Sequence, residues 1–218
     1  MKNLIIFIFF ISCKVFATPQ IPDILIYNGK KYEWNSYSPA FKYLEDKQIK
    51  VPNDAISTTA RSDFYTMTYS IENDSLYLIN IEILTSKNSN LSTRSVFKEL
   101  FPNQTKVLMN FYSVIQTFPY GKVYEDTQNN WTDIHYKKYL VFEFKNGYVE
   151  TSYDMNYKSF LKLKKGLFEK FKKTLEYKTV AEEEISNLEA FNEFRPNKYS
   201  MDEYLEFTIL RHIKTLKE

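Results

Sequence analysis

Tyr139-Leu140-Val141-Phe142-Glu143-Phe144, then Asn146-Gly147, then Tyr148-Val149-Glu150-Thr151-Ser152-Tyr153 is the stretch that decides the fold. Asn-Gly tolerates the positive φ values that a two-residue turn demands, and aromatic and aliphatic residues flank it on both sides. The stretch reads as a hairpin, and hairpins pair antiparallel. The same signature recurs upstream. Ile24 to Tyr27, Asn28-Gly29 and Lys30 to Trp34 predict one hairpin, and Phe64 to Ile71 with Ser75 to Leu84 around Glu72-Asn73-Asp74 predict another. Lys106 to Tyr112 and Lys122 to Glu125 are further strand candidates, connected through Phe118-Pro119-Tyr120-Gly121, which reads as a turn. A short helix is expected at Thr93 to Phe101, capped by Ser92 or Thr93 and ended by Pro102.

Beyond the deciding hairpin the period changes at Asn156. Phe160, Leu163, Leu167, Phe168, Phe171 and Leu175 form one apolar stripe of a long helix. Lys162, Lys164, Lys165, Lys170, Lys172 and Lys173 fall largely on its other face, and Gly166 sits inside it. Glu182 to Phe194 predicts a second helix, with Ile185, Leu188 and Phe191 on one side, ending before Pro196. Ser200-Met201-Asp202-Glu203 is a capping-box pattern that opens a last helix carrying Tyr204, Leu205, Phe207, Leu210 and Ile213. No strand–helix alternation is present, which argues against a parallel doubly wound sheet. The expected fold is α+β: an antiparallel β-sheet built from hairpins, followed by C-terminal amphipathic helices packed on it. Residues 18–218 read as a single domain, mainly strands over 18–155 and mainly helices over 156–218.

The N-terminus carries an address. Met1-Lys2-Asn3 is a short basic start, Leu4 to Ile11 is apolar, and Val15-Phe16-Ala17 precedes Thr18-Pro19. This is the pattern of a secretory signal over residues 1–17, cleaved between Ala17 and Thr18. The run is shorter than the roughly 20 residues that span a bilayer as a helix. The alternative is a lipoprotein, because Ile11-Ser12-Cys13 partly resembles a lipid-attachment site. A periplasmic or secreted location follows from the first reading, and membrane contact arises only if Cys13 is lipidated.

Composition narrows the chemistry. The chain has 29 basic and 27 acidic residues; loss of residues 1–17 removes Lys2 and Lys14 and leaves 27 of each. A neutral chain lacks the surplus of Lys and Arg that phosphate binding needs, so no nucleic-acid partner is expected. Cys13 is the only cysteine, which excludes disulfides, thiol nucleophiles and Cys-based zinc sites from residues 18–218. Glycine-rich phosphate loops and paired zinc motifs are absent, so no cofactor or metal is expected. Eighteen Phe and eighteen Tyr make the core ring-rich, and Tyr-rich surfaces also serve recognition.

Five clusters stand out. Trp131-Thr132-Asp133-Ile134-His135-Tyr136 places Asp133 and His135 on one strand face, where an acid can orient an imidazole for general-base work; the alternative is a polar surface strand. Tyr120 and Lys122 sit on Phe118 to Lys122, either an ordinary turn or a shaped recognition loop, and Trp131 is a further binding candidate. Arg61, in the hydroxyl-rich Ile56 to Ser62, can hold a carboxylate bidentately. His212, beside Arg211, reads as a cation favoured by a helix C-terminus. The lysines from Lys158 to Lys178 read as a solvated helix face or as a basic surface for acidic partners.

Ala55 to Thr59, Phe64-Tyr65-Thr66, Ser75 to Ile81, Phe118 to Lys122, Tyr139 to Glu143 with Asn146-Gly147, and Phe168 to Lys173 with Glu176-Tyr177-Lys178 follow one another in an order that resembles a family of uncharacterised, signal-bearing bacterial envelope proteins. The segments cover much of residues 20 to 180. Arg61-Ser62-Asp63 departs from that family's pattern, which has a Trp and a Gly there. The resemblance implies a bacterial envelope location and brings no activity or catalytic residue with it. The leading functional expectation is an exported, non-catalytic binding protein with a protein partner, in concrete form an immunity-type inhibitor of a toxin. The alternatives are an envelope-acting hydrolase using Asp133 and His135, and a lipid-anchored structural protein dependent on Cys13.

Overall fold

The structure, a computed structural model, describes residues 21–60, 63–87, 90–128 and 131–217. Residues 1–20, with Cys13, Ala17 and Thr18, lie outside the described residues, as does Arg61. Among the described residues a mostly antiparallel sheet of near-barrel shape is accompanied by six α-helices. The elements run β1 (Asp23–Tyr27), β2 (Lys30–Trp34), α1 (Pro39–Asp46), β3 (Tyr65–Glu72), β4 (Ser75–Lys87), β5 (Asn90–Ser95), α2 (Phe97–Leu100), β6 (Val107–Leu108), β7 (Ile115–Gln128), β8 (Trp131–Lys145) and β9 (Tyr148–Asn156). They continue with α3 (Tyr157–Phe171), α4 (Glu176–Glu183), α5 (Ile185–Asn192), α6 (Met201–Thr208) and a 3-10 turn at Ile209–Arg211.

All three sequence hairpins form with two-residue turns of positive φ: Asn28 and Gly29 at 49° and 71°, Asn73 and Asp74 at 48° and 55°, Asn146 and Gly147 at 51° and 79°. That backbone matches the right-handed twist of the flanking strands. The strand order is β2-β1-β3-β4-β9-β8-β7, with β5 and β6 also pairing β4. The sheet departs from purely antiparallel pairing at one place. β1 runs parallel to β3, with Leu25 opposite Tyr69. Parallel neighbours need a long crossover, and α1 with the loop after it supplies one. The sequence carried a signal for α1 in Ser38-Pro39, since Pro is favoured in the first turn of a helix.

Three further segments correct the sequence expectation. Residues 93–95 belong to β5 and extend the β4 ladder (Leu84 opposite Thr93), so helix α2 starts only at Phe97. The strand expected over Lys106 to Tyr112 shrinks to Val107–Leu108. The helix expected over Glu182 to Phe194 is broken at Glu184 into α4 and α5.

The sheet curls until its two ends meet through side chains. Trp34 of β2 packs edge-on against Phe118 of β7 with ring centroids 5.0 Å apart, and Tyr32 meets Tyr120 at 5.2 Å. Ser36 Oγ donates to Gln116 Oε1 at 3.0 Å across the same seam. Strand β8 is the wall between two cores. Leu140, Phe142 and Phe144 point inward to Trp34, Tyr69 and Phe118, while Tyr139 and Val141 point outward to Phe160, Leu167, Phe168 and Leu205 of the helices. Asn156 caps α3 by accepting from the Ser159 amide at 2.9 Å. The Ser200–Glu203 capping box is complete, with both side chains satisfying the other's backbone amide. Leu175, assigned to the apolar stripe, is 95% exposed at the start of α4, and Lys164, assigned to the solvent face, is 6% exposed.

Candidate functional site

Strands β7 and β8 pair along their whole length, from Ile115 opposite Glu143 to Gln128 opposite Trp131. The β9 ladder on β8 ends at Lys138 opposite Asn156. Residues 131–137 therefore pair with β7 alone, and the two strands project as a ribbon-like arm. Every residue from Gly121 to Thr127 is exposed. Tyr120, Lys122, Trp131, Asp133 and His135 all lie on this one hairpin, so the structure gathers the candidates that sequence reading left on separate segments.

Phe118 to Gly121 is strand, which corrects the expected turn. Pro119 is accommodated because β7 is last in the strand order and its missing N–H faces the free edge. Gly121, at φ 82°, is the extra residue of a β-bulge between Tyr120 and Val123. Beyond it Val123 falls opposite Tyr136, and the ladder continues in register to Gln128 opposite Trp131.

Alternation then sorts the arm into two faces. Lys122, Tyr124 and Asp126 share one with Asp133 and His135. The His135 ring stacks between Tyr124 (5.3 Å, 12°) and Tyr157 (4.3 Å, 16°). Tyr157 leads on to Tyr139 at 5.9 Å, and Tyr139 to Phe160 at 4.2 Å and 7°. A column of five rings thus fixes the arm to α3. Asp133 accepts from Arg195 Nη1 at 3.2 Å, and the Arg195 guanidinium lies 4.0 Å from the Phe191 ring centre. Such a charge-on-ring contact braces the arm from the helical side. The opposite face carries Val123 and Ile134, 45% and 59% exposed, and a Thr127–Thr132 hydroxyl pair at 2.9 Å.

The remaining candidates have structural engagements. The Tyr120 hydroxyl donates to Asp154 Oδ1 at 2.6 Å, and burial, reinforced by Asp154, pushes its ionisation well above the usual tyrosine value. Tyr120 closes the seam rather than presenting itself on a loop. Lys122 is exposed, with Nζ 5.0 Å from the Tyr124 ring centre. Trp131 opens β8 opposite Gln128. His212 corrects the cation reading: it is half-buried, with Nε2 3.1 Å from Thr208 Oγ1, and burial lowers its pKa, so the ring favours the neutral form.

Two clefts lie away from the arm. One, of about 440 Å³, is lined by Asp23, Trp34, Ser38, Phe41, Glu45 and Asp63. The other, of about 960 Å³, lies between the ends of β7 and β8 and the C-terminal segment. Its rim holds Lys145, Arg211, Lys214 and Lys217, and the buried Glu143 beside it accepts from the Leu216 amide at 2.8 Å. Asp133 and His135 line neither cleft. Among the described residues no group of three or more His, Cys, Asp or Glu is placed to hold a metal ion, and no helix is long and apolar enough to cross a membrane.

Sequence reading missed Val123, Tyr124, Ile134, Tyr157 and Arg195. The alternation around Ile134 was the available signal, because it sets Ile134 on the face opposite Asp133 and His135. Arg195 left no trace, since its partner is 62 residues away. Compared with known proteins, the chain matches no family model, no curated protein and no solved structure.

Proposed function

We propose that the chain is an exported, non-catalytic binding protein of the bacterial envelope, and that the outward face of the β7–β8 arm engages a protein partner. The observation that carries this reading is the exposure of Val123 and Ile134 on a ribbon held rigid by the ring column and by Arg195. Apolar side chains displayed on a braced, protruding element lose little conformational freedom when covered, which favours binding. An immunity-type inhibitor, blocking a toxin in the producer's envelope, is the concrete form. The leader supplies the location, and the charge balance of residues 18–218 sets nucleic acid aside as partner.

Crosslinking and pull-down from intact envelope tests the reading. The wild-type chain is expected to capture a defined partner, and Val123→Asp and Ile134→Asp are expected to lose it while circular dichroism stays unchanged. Capture indifferent to both substitutions overturns the assignment of the face. Mass spectrometry of the mature N-terminus tests the location: Thr18 first for a free protein, acylated Cys13 for an anchored one. Recovery from the cytosol with Met1 attached overturns export.

A further inference from the structure

We propose that the free edge of β7 pairs antiparallel with the same edge of a second copy, in the register that sets Tyr124 opposite Tyr124 of that copy. This goes beyond the partner reading, does not rest on it, and uses the edge of the arm rather than its outward face.

The distal part of the edge carries charges but neither proline nor bulge. Natural sheets blunt free edges with prolines, bulges and charges, because unpaired backbone groups template association. Here Pro119 and the Gly121 bulge both sit at the sheet-proximal end, where Tyr32 of β2 packs on Tyr120. From Val123 onward β7 holds a regular ladder with β8, contains no proline, and is exposed to Thr127.

Symmetry restricts the register. Facing residues in an antiparallel pair alternate between hydrogen-bonded and non-hydrogen-bonded types. A two-fold axis lying between successive facing pairs would exchange the two types, so the axis must pass through a facing pair. Some residue therefore faces its own copy, and that residue defines the register. Centring on Lys122, Glu125 or Asp126 opposes like charges directly, which is unfavourable. Centring on Val123 sets Lys122 opposite Tyr124 and Asp126 opposite Tyr120, and centring on Thr127 sets Asp126 opposite Gln128. Centring on Tyr124 sets Lys122 opposite Asp126 twice. It is the only one of these registers that faces opposite charges.

Two observations fit that register. Lys122 and Asp126 have no ion-pair partner among the described residues, so both charges are available. Tyr124 is the outer end of the ring column through His135 and Tyr157, and a facing Tyr124 continues that column across the axis into the second copy. The exposed charge pairs choose the register; backbone bonds and rings hold it. The outward faces of the two arms then lie side by side, presenting Val123 and Ile134 twice.

Charge reversal tests the proposal in a sedimentation-velocity concentration series on the purified chain. Wild type is expected to dimerise. Asp126→Lys opposes two lysines at both positions and is expected to weaken dimerisation by about tenfold or more. Lys122→Asp with Asp126→Lys restores opposite charges and is expected to recover it; should Asp126→Lys misfold by circular dichroism, Lys122→Asp alone makes the same break. In a Cys13→Ser background, Tyr124→Cys is expected to form an intermolecular disulfide under oxidation. Thr127→Cys, whose mate lies about 20 Å away in this register, is not. A monomer at every concentration, a dimer indifferent to both charge variants, or a Tyr124→Cys chain that forms no intermolecular disulfide overturns the proposal. Partner capture is read separately, so loss of one result leaves the other standing.

Discussion

A lysine side chain 6% exposed among rings carries a cost that acidity can reveal. Lys164 Nζ lies 4.5 Å from the Phe207 ring centre and 5.5 Å from that of Phe160. Burial lowers its pKa from 10.5 to about 8, with Arg211 acting in the same direction and Glu206 against it. The folded state therefore gives up the proton before the unfolded state does. Below pH 8 both states are charged and the full cost, about 3 kcal/mol, is present. Between pH 8 and 10.5 the unfolded chain holds more protons, so stability rises with pH. Above about pH 10 the hydroxyls of the buried Tyr69 and the partly buried Tyr112, which burial holds above their usual ionisation, reverse the trend because the unfolded chain loses those protons first. Lys164→Met keeps the length of the side chain without the charge. Its urea midpoint at pH 7 is expected above that of wild type, with the difference mostly gone by pH 10. A constant difference across that range sinks the assignment. The helical period placed Lys164 outward because the period sees one helix at a time. Phe207 on α6, which covers it, is 43 residues away in sequence.

Two glycines separate what an element requires from what it tolerates. Gly147 holds φ at 79°, and an added Cβ would lie 2.6 Å from the Met109 carbonyl oxygen. Gly147→Ala is expected to cost more than 2 kcal/mol in chemical denaturation, from the αL penalty of about 1 kcal/mol and the clash together. Gly166 lies inside α3 with nothing within 4 Å of its would-be Cβ. Gly166→Ala is expected to stabilise by about 0.5–1 kcal/mol in the same experiment. The Gly166 effect and the φ of Gly147 follow from local chemistry, the Met109 clash does not, and local chemistry was what the sequence made legible. Asn28-Gly29, Asn73-Asp74 and Asn146-Gly147 placed three hairpins, and Ser200 with Glu203 placed the start of α6. The errors share a different origin. Ser92 and Thr93 suit a helix cap or a strand equally, and the exposed half of β4 recruits them as β5. Pro119-Tyr120-Gly121 suits a turn or a bulged edge strand, and only the position of β7 at the end of the sheet decides between them. The arm was invisible for the same reason, since it exists because β9 stops short of the tip.

At the scale of the molecule, the two cores meet on opposite faces of one strand. Phe142, 0% exposed, serves the interior of the curled sheet, and Val141, also 0% exposed, serves the helical layer. Among the described residues side chains alone close the seam between β2 and β7, and no backbone ladder holds the curl shut from that side. The helices stiffen β8 from outside, and the seam rings stiffen it from inside. Both layers pack on the one strand β8, which predicts one cooperative transition. Trp34, buried at the seam, reports the inner core by fluorescence in a Trp131→Phe background, because the chain has two tryptophans. Far-ultraviolet circular dichroism reports the helices. The urea curves of the two probes are expected to coincide. Phe168→Ala, a truncation in the helical core on the far side of β8 from Trp34, is expected to lower both midpoints together by about 3–5 kcal/mol of stability. A Trp34 transition left in place while the helical signal melts early would show that the helical layer and the curled sheet unfold as separate units.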